Sequence, residues 1–255
     1  MTAQTDEVAR FAWYHTLELP GGIVTPGMFD TRPAAEKIGM PASLKGKRCL
    51  DVGTSDGFWA FEMERRGADE VVAIDLTDNT LADLTVGGAP FFKSEPSRQS
   101  QTFALAHRLL GSSVQWRGLS AYDVTPRALG RFDFVFVGSL LMHLQDPVRA
   151  LSAVHSVVGG QLLSFEAVSP FLTLTHPRMP SARFLGLDRS DWWIPNVAAH
   201  RRWVEAAGFR ITDPGGIAFI KRRGLKGRIS LRHPLQSGLL VTLGIPQSWV
   251  LAVPR

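Results

Sequence analysis

The stretch Cys49-Leu50-Asp51-Val52-Gly53-Thr54-Ser55-Asp56-Gly57 decides the fold of this chain. It opens as a short apolar run, carries a carboxylate at Asp51 and turns through Gly53 and Gly57. A second apolar run, Val71-Val72-Ala73-Ile74, then ends in Asp75. That order predicts a strand, a turn whose bare backbone lets a ligand approach, and a helix start near Phe58 with unpaired N–H groups. The second strand would carry Asp75 to a place where its carboxylate accepts both hydroxyls of a ribose. Ser55 stands where the usual G-x-G-x-x-G turn has its middle glycine, so the loop by itself also reads as a plain strand–helix turn.

From Lys47 onward, apolar runs alternate with helical patterns. Strands are predicted over 48–52, 71–75, 114–118, 132–138 and 161–168. Helices are predicted over 57–66, 98–110, 147–157 and 197–207, the last stopping at Gly208. Asp146-Pro147 reads as a helix start. The run Phe132-Asp133-Phe134-Val135-Phe136-Val137-Gly138 is nearly all apolar, so both strand faces are buried and the sheet is mostly parallel under covering helices. In an open sheet of this kind, ligands bind beyond the carboxyl ends of the strands. Asp51, Asp75, Asp123 and Gly138 all fall at or just past such ends. Tyr122-Asp123 lies where an adenine edge is read, with Asp123 accepting from the exocyclic amine. The expected class is α/β.

The 255 residues suffice for one large domain with its own core, and 45% hydrophobic with 20% charged residues is ordinary globular composition. The one cysteine, Cys49, falls in a predicted buried strand, so neither a disulfide framework nor a cysteine metal cluster is expected, which suits a reducing cytoplasm. No run reaches membrane-spanning length, and the first residues lack a signal-peptide pattern. The net charge of +5 is local: no acidic residue follows Asp213, whereas Lys221, Arg222, Arg223, Lys226, Arg228, Arg232 and Arg255 do. Such a cluster suits RNA phosphates or an anionic substrate, or is simply solvated. Three units are expected besides the sheet: an irregular arm or lid over 1–45, a Pro- and Trp-rich cap insertion over 169–196, and a basic tail over 223–255 with no assigned structure.

The acidic strand ends, the spaced glycines and the segment 132–147 together resemble the class I S-adenosylmethionine-dependent methyltransferases, whose first motif is an acidic residue followed by spaced glycines. A closer resemblance lies in Trp13-Tyr14-His15-Thr16-Leu17 through Gly27, residues 103–111, Leu141-Met142-His143-Leu144-Gln145-Asp146-Pro147, Trp193-Ile194-Pro195-Asn196 and residues 203–209. Over roughly residues 13–213 the chain is similar to the tRNA wobble-uridine (mo5U34) carboxymethyltransferase family. The resemblance implies a Rossmann-like sheet over 46–222 with helices on both faces. It implies S-adenosylmethionine as cofactor and S-adenosylhomocysteine as product. The positions expected to hold the cofactor are Asp51, Gly53, Thr54, Ser55, Gly57, Asp75, Leu76, Tyr122, Asp123 and Gly138. Members that transfer a carboxymethyl group hold the extra carboxylate with a lysine in the arm, a tyrosine before the histidine after the fourth strand, and a C-terminal arginine. Here Met142 precedes His143, and no lysine or arginine occurs between Arg10 and Arg32. An unpaired carboxylate in a desolvated site is costly, so the expected donor is unmodified S-adenosylmethionine and the expected reaction is plain methyl transfer.

Methyl transfer from a sulfonium is an in-line displacement that needs an aligned acceptor and, for a hydroxyl, a base. His143 is the expected base, His15 a second candidate, and Glu166 at the end of the fifth strand an orienting acid. Trp13, Tyr14, Trp192, Trp193 and Asn196 are the expected substrate contacts, the aromatic ones forming a wall around an apolar or planar acceptor. Trp59 is expected to pack under the cofactor. The seven histidines show no metal-ligand spacing. The leading expectation is a small-molecule acceptor modified on oxygen. The alternatives are a tRNA-modifying methyltransferase and a cofactor-binding protein without catalysis.

Overall fold

A computed structural model of the chain describes residues 3–77, 98–186, 191–223 and 244–255. A mixed sheet organises it. Its strands are β1 (Phe29–Asp30), β2 (Arg48–Val52), β3 (Glu70–Asp75), β4 (Gln115–Gly118), β5 (Phe132–Gly138), β6 (Val158–Ala167), β7 (Phe209–Asp213), β8 (Ile217–Arg222) and β9 (Ile245–Pro254). They lie in the order β1-β8-β9-β6-β5-β2-β3-β4, with β7 also pairing β9. Strands β2 to β6 are mutually parallel, and β9 runs antiparallel to β6, β7 and β8. The chain steps outward from β2 to β3 and β4, then returns to β5 on the other side of β2. The sheet therefore reverses direction between β2 and β5, and a crevice opens at their carboxyl ends.

Alternation along each strand sorts the core into two layers. Cys49, Val71, Ala73, Phe134 and Phe136 pack with helices α1 (Phe58–Arg65) and α2 (Arg98–Leu110). Leu50, Val52, Val72, Ile74, Val135 and Val137 pack with α3 (Pro147–His155) and α4 (Val197–Ala206). Each fully buried side chain of this size stabilises the fold by about 1.5–3 kcal/mol, so both faces hold the sheet flat against its helices. Helix ends follow local chemistry. Asp146 Oδ1 accepts from Arg149 N–H at 2.9 Å with Pro147 in the first turn, and Gly208 leaves α4 at φ +99°.

The expected strands and helices all appear, with ends shifted by at most three residues. Residues 209–222 form the two closing strands. The C-terminal segment differs from expectation. Residues 224–243 lie outside the described ones, but 245–254 are a ten-residue strand inserted between β6 and β8. Pro246 and Pro254 bracket the run Trp249-Val250-Leu251-Ala252-Val253, which lies in the tail left without assigned structure. Pairing on both sides overrides the prolines. The arm also joins the fold, since β1 adds to the sheet edge beside Lys221 and Arg222.

This packing generates two expected outcomes. A Cβ on Gly27 would overlap the backbone of His15 and Thr16, so Gly27→Ala should lower the unfolding free energy by at least about 2 kcal/mol in urea titration; an unchanged midpoint would contradict the arm's placement. His200, fully buried against Ser164 Oγ at 2.9 Å, has its imidazole pushed down from 6.5 to about 3, first by burial and then by Arg201. The unfolded chain takes up this proton below its ordinary value and the folded chain does not. The stability so contributed is present above pH 6.5 and is lost as pH falls toward 3, with a limiting slope of about 1.4 kcal/mol per unit. The His200→Gln variant should show a shallower acid slope than the parent, and equal slopes would refute the assignment.

Candidate active site

The turn after β2 takes a left-handed path three times, at Gly53 (φ +78°), Ser55 (φ +52°) and Gly57 (φ +94°). Gly53 and Thr54 donate their N–H groups to Ile74 O at 2.9 and 3.0 Å. Ser55 N–H donates to Asp75 Oδ2 at 2.6 Å, and Asp75 Oδ1 accepts from Leu76 N–H at 2.7 Å. A carboxylate oxygen has two acceptor sites, so Asp75 keeps half its capacity for a ligand. Ser55, irregular in the motif, thus serves the structure through its backbone, which ties the turn to the next strand. Burial pushes the Asp75 carboxyl up and raises that of Asp51 to about 7, the Asp51 shift countered by Thr54 and His15.

A cleft of about 70 Å³ opens beside this turn, lined by Gly53, Asp75, Leu76, Ser120, Tyr122 and Leu140 among others. Four of these are positions expected to hold the cofactor. Asp75 lines this cleft with acceptor capacity to spare, which fits a hydroxyl-bearing ligand such as a ribose. S-adenosylmethionine would be held by Asp75 on its ribose, by Leu76 and Tyr122 around its base, and by the Gly53–Ser55 backbone.

Three expected cofactor residues, Asp123, Gly57 and Gly138, are absent from the lining of this cleft. Asp123 is exposed at the end of a 3-10 turn and does not line the cleft, while Tyr122 does, its hydroxyl accepting from Asp146 N–H at 3.1 Å. A Cβ at Gly57 would strike the rings of Phe61 and Phe103, and one at Gly138 the ring of Phe136. Helix and strand packing therefore require glycine at both positions.

A second pocket, of about 240 Å³, lies across the turn that follows β5. Leu140 lines the first cleft, while Ser139, Met142 and His143 line the second, together with Tyr14, His15, Trp59, Asp191 and Arg222. His143 Nδ1 pairs with Asp191 Oδ1 at 3.1 Å. With the proton on Nδ1 shared with that carboxylate, Nε2 is the lone-pair atom of the ring. His15 Nδ1 pairs closely with Asp56 Oδ1, and Asp56 Oδ2 accepts from Tyr14 N–H and His15 N–H, each at 2.8 Å. Asp56 therefore clasps the arm onto the cofactor turn. Burial, together with Glu166, Asp191 and Asp56, pushes the Tyr14 hydroxyl up, so it stays protonated.

Glu166 does not reach the pocket. It is fully buried, and its oxygens accept from Leu141 N–H at 2.7 Å and from Ala167 N–H at 2.8 Å. It positions the turn that carries His143, and burial raises its carboxyl to about 7 against those hydrogen bonds. Trp13, expected at the substrate, is core: it is buried and donates Nε1–H to Val8 O at 2.8 Å. Asn196, also expected there, is the knot of the cap. Its Oδ1 caps α4 through Ala199 N–H at 2.8 Å, and its Nδ2 donates to His176 O and Met179 O at 2.7 and 2.9 Å. Trp192 and Trp193 pack on Phe184 and do not line the pocket, but Trp192 N–H donates to Met142 O at 2.7 Å and so steadies the His143 turn. Tyr14 does line the pocket, as expected, and Trp59 lies on Phe136 with ring centroids 4.4 Å apart.

Asp56, Asp191 and Ser139 escaped the sequence reading, which placed Arg222 in the basic cluster without tying it to this pocket. Asp56 was legible as a carboxylate inside the glycine turn. Asp191 stands beside two tryptophans in a long insertion, and nothing local ties it to His143. A wider hollow of about 530 Å³ is lined by Glu18, Arg32, Glu62 and Arg65 among others, which pair as Arg32–Glu18 and Arg65–Glu62. It holds none of the strand-end residues. Among the described residues no cluster suited to a metal ion occurs, and no helix is long and apolar enough to cross a membrane.

Comparison with known proteins agrees with this geometry. The family model described as a methyltransferase domain matches residues 30–214. The tRNA U34 carboxymethyltransferase of Pseudomonas aeruginosa (strain LESB58) is 28% identical over 68% of this chain and 48% of its own length. That of Azotobacter vinelandii is 31% identical over 68% of this chain and 49% of its own. The chain thus spans about half the length of these curated relatives. Among solved structures, the N-terminal domain of EvdMO1 with S-adenosylhomocysteine and D-fucose superposes at a TM-score of 0.58, with 14% identity over 99% of this chain and 94% of that one. The [4+2]-cyclase SpnF superposes at 0.55, with 17% identity over 99% and 92%. A Burkholderia thailandensis 1,6-didemethyltoxoflavin N1-methyltransferase, with its substrate and S-adenosylhomocysteine, superposes at 0.52, with 15% identity over 88% and 78%. These likenesses speak for the fold alone. The family match over most of the sheet, joined to the carboxylate-bearing strand ends and the glycine turn, carries the identification: the chain belongs to the methyltransferase-domain family.

Proposed function

We propose that this methyltransferase modifies a small-molecule acceptor on oxygen, with His143 as general base oriented by Asp191. The observation that carries the reading is the His143–Asp191 pair on a pocket wall one turn away from the donor cleft. When bound, S-adenosylmethionine supplies an electrophilic methyl on a positively charged sulfur. His143 Nε2 takes the proton of the acceptor hydroxyl as that oxygen bonds to the methyl carbon, and Asp191 stabilises the imidazolium that forms. The bound donor would supply the leaving group, its sulfur keeping the electron pair of the broken bond, while His143 would hold the proton, so atoms and charge would balance. Trp59, Phe29 and Met142 line the pocket with apolar surface, which keeps water from competing for the methyl. Met142 in place of the tyrosine, with the arm free of lysine between Arg10 and Arg32, supports unmodified S-adenosylmethionine over a carboxylated donor.

A tRNA acceptor is the second reading, favoured by the names of the curated relatives. Those relatives are matched over about half their length, and three of the seven basic residues of the C-terminal cluster, Lys226, Arg228 and Arg232, lie outside the described residues. The two readings separate in one experiment. With methyl-labelled S-adenosylmethionine and size-fractionated cell extract, label should enter the small-molecule fraction. Label in the tRNA fraction would establish the second reading, and no label in any fraction would favour the non-catalytic alternative.

Asp75→Ala should weaken S-adenosylhomocysteine binding by roughly 1.5–3 kcal/mol in calorimetry, because a ribose loses a charged acceptor and the turn loses its tie to β3. Retained affinity would remove Asp75 from the site. His143→Ala should lower turnover on the labelled acceptor by about 10²–10⁴-fold while S-adenosylhomocysteine affinity is kept. Turnover that survives would mean the acceptor arrives already nucleophilic.

A further inference from the structure

We propose that the acceptor carries an anionic group, a carboxylate or a phosphate on a small planar molecule, and that Arg222 is its counter-ion. This rests on the methyl-transfer reading above and concerns the same pocket.

The charged and titratable side chains that line the pocket are Tyr14, His15, His143, Asp191 and Arg222. The two histidines are each committed to a carboxylate, His15 to Asp56 and His143 to Asp191. Each carboxylate at the wall therefore already has its hydrogen-bonding cation or donor. Arg222 differs: among the described residues no carboxylate comes within ion-pair distance of it. The obvious partner would be Asp30, one position along the neighbouring strand, since β8 pairs Lys221 with Asp30 and Arg222 with Phe29. Arg32 holds both oxygens of Asp30, Nε to Oδ1 and Nη2 to Oδ2, each at 2.8 Å. That bidentate grip keeps the Asp30 carboxyl well below its usual range and removes it as a partner for Arg222.

The guanidinium is nonetheless placed rather than loose. Its carbon lies 5.9 Å from the centre of the Phe29 ring, a cation–π geometry. The strand end is pinned as Arg223 N–H donates to Met28 O at 2.8 Å. Phe29 and Met28 also line the pocket, so the cation sits on the same apolar wall that a planar ring would contact. An exposed arginine beside a pocket whose carboxylates are already engaged is a binding element for an incoming anion, and its planar fork suits a carboxylate or phosphate. A volume of about 240 Å³ takes a one- or two-ring molecule.

The test titrates the protein, saturated with S-adenosylhomocysteine, with single-ring phenols in matched pairs: 4-hydroxybenzoate and 4-hydroxyphenyl phosphate against 4-hydroxybenzamide. Ligand-observed NMR and calorimetry read the binding. At least one anion should bind about tenfold or more tightly than the neutral amide, and whether carboxylate or phosphate wins identifies the group. Arg222→Gln should abolish the difference, Arg222→Lys should keep part of it, and Arg223→Gln, outside the pocket lining, should leave it intact. Equal binding of acid and amide, failure of every anion to bind, or an anion preference that survives Arg222→Gln would overturn the proposal. So would salt-sensitive binding of bulk tRNA lost equally in the Arg222→Gln and Arg223→Gln variants, which would make the two arginines one phosphate-binding surface. Failure of S-adenosylhomocysteine itself to bind would instead bring down the methyl-transfer reading on which the proposal stands.

Discussion

The ligand edge of this enzyme depends on a pair of carboxylates that hold one short turn in a left-handed path. Ser55 has a side chain and still sits at positive φ, a conformation that costs about 1–2 kcal/mol for a residue with a Cβ. The hydrogen bond from its N–H to the ionisable Asp75, at 2.6 Å, offsets that cost. One residue on, Asp56 takes three hydrogen bonds from the arm. The same five residues thus border the smaller cleft through Gly53, locate the next strand's carboxylate and dock Tyr14 and His15 on the larger pocket. A change in this turn propagates to both ligands at once.

A second turn, from Ser139 to Leu144, plays the corresponding part on the other side of the switch point. Its backbone is held from beneath by Glu166 and from the cap by Trp192. Burying Glu166 is unfavourable, which is why its carboxyl is driven up to about 7. The N–H groups of the turn compensate by pointing at its oxygens. The outcome is a divider with Leu140 lining the smaller cleft and His143 the larger pocket. The cap contributes Asp191 to that arrangement through tertiary contact alone. The arm contributes His15 in the same way, and the two histidine–carboxylate pairs come from four separate segments of chain.

Arg222 illustrates how environment sets the meaning of a charge. By composition it belongs with the other C-terminal cations, which as a group suggest phosphates or nothing in particular. In the fold the register of β8 against β1 sets it opposite Phe29 on the pocket wall, and among the described residues it has no carboxylate partner, because Arg32 holds Asp30. Its chemistry is then that of the pocket rather than of the tail.

The sequence by itself determined the parallel strands, the helices between them, the switch point and the donor turn. These rest on local signals: runs of apolar residues with period two or 3.6, caps such as Asp146-Pro147, and glycines where the backbone must turn. Gly53, Asp75, Leu76 and Tyr122 were legible because a strand end in such a sheet can face only one crevice. Only the tertiary structure decided that Trp13 and Asn196 are framework, that Glu166 supports rather than touches the site, and that 245–254 is a central strand. It alone joined His143 to Asp191 and His15 to Asp56. The physical reason is range: periodicity and capping act within a few residues, whereas burial and ion pairing are settled between segments that meet only after the chain has folded.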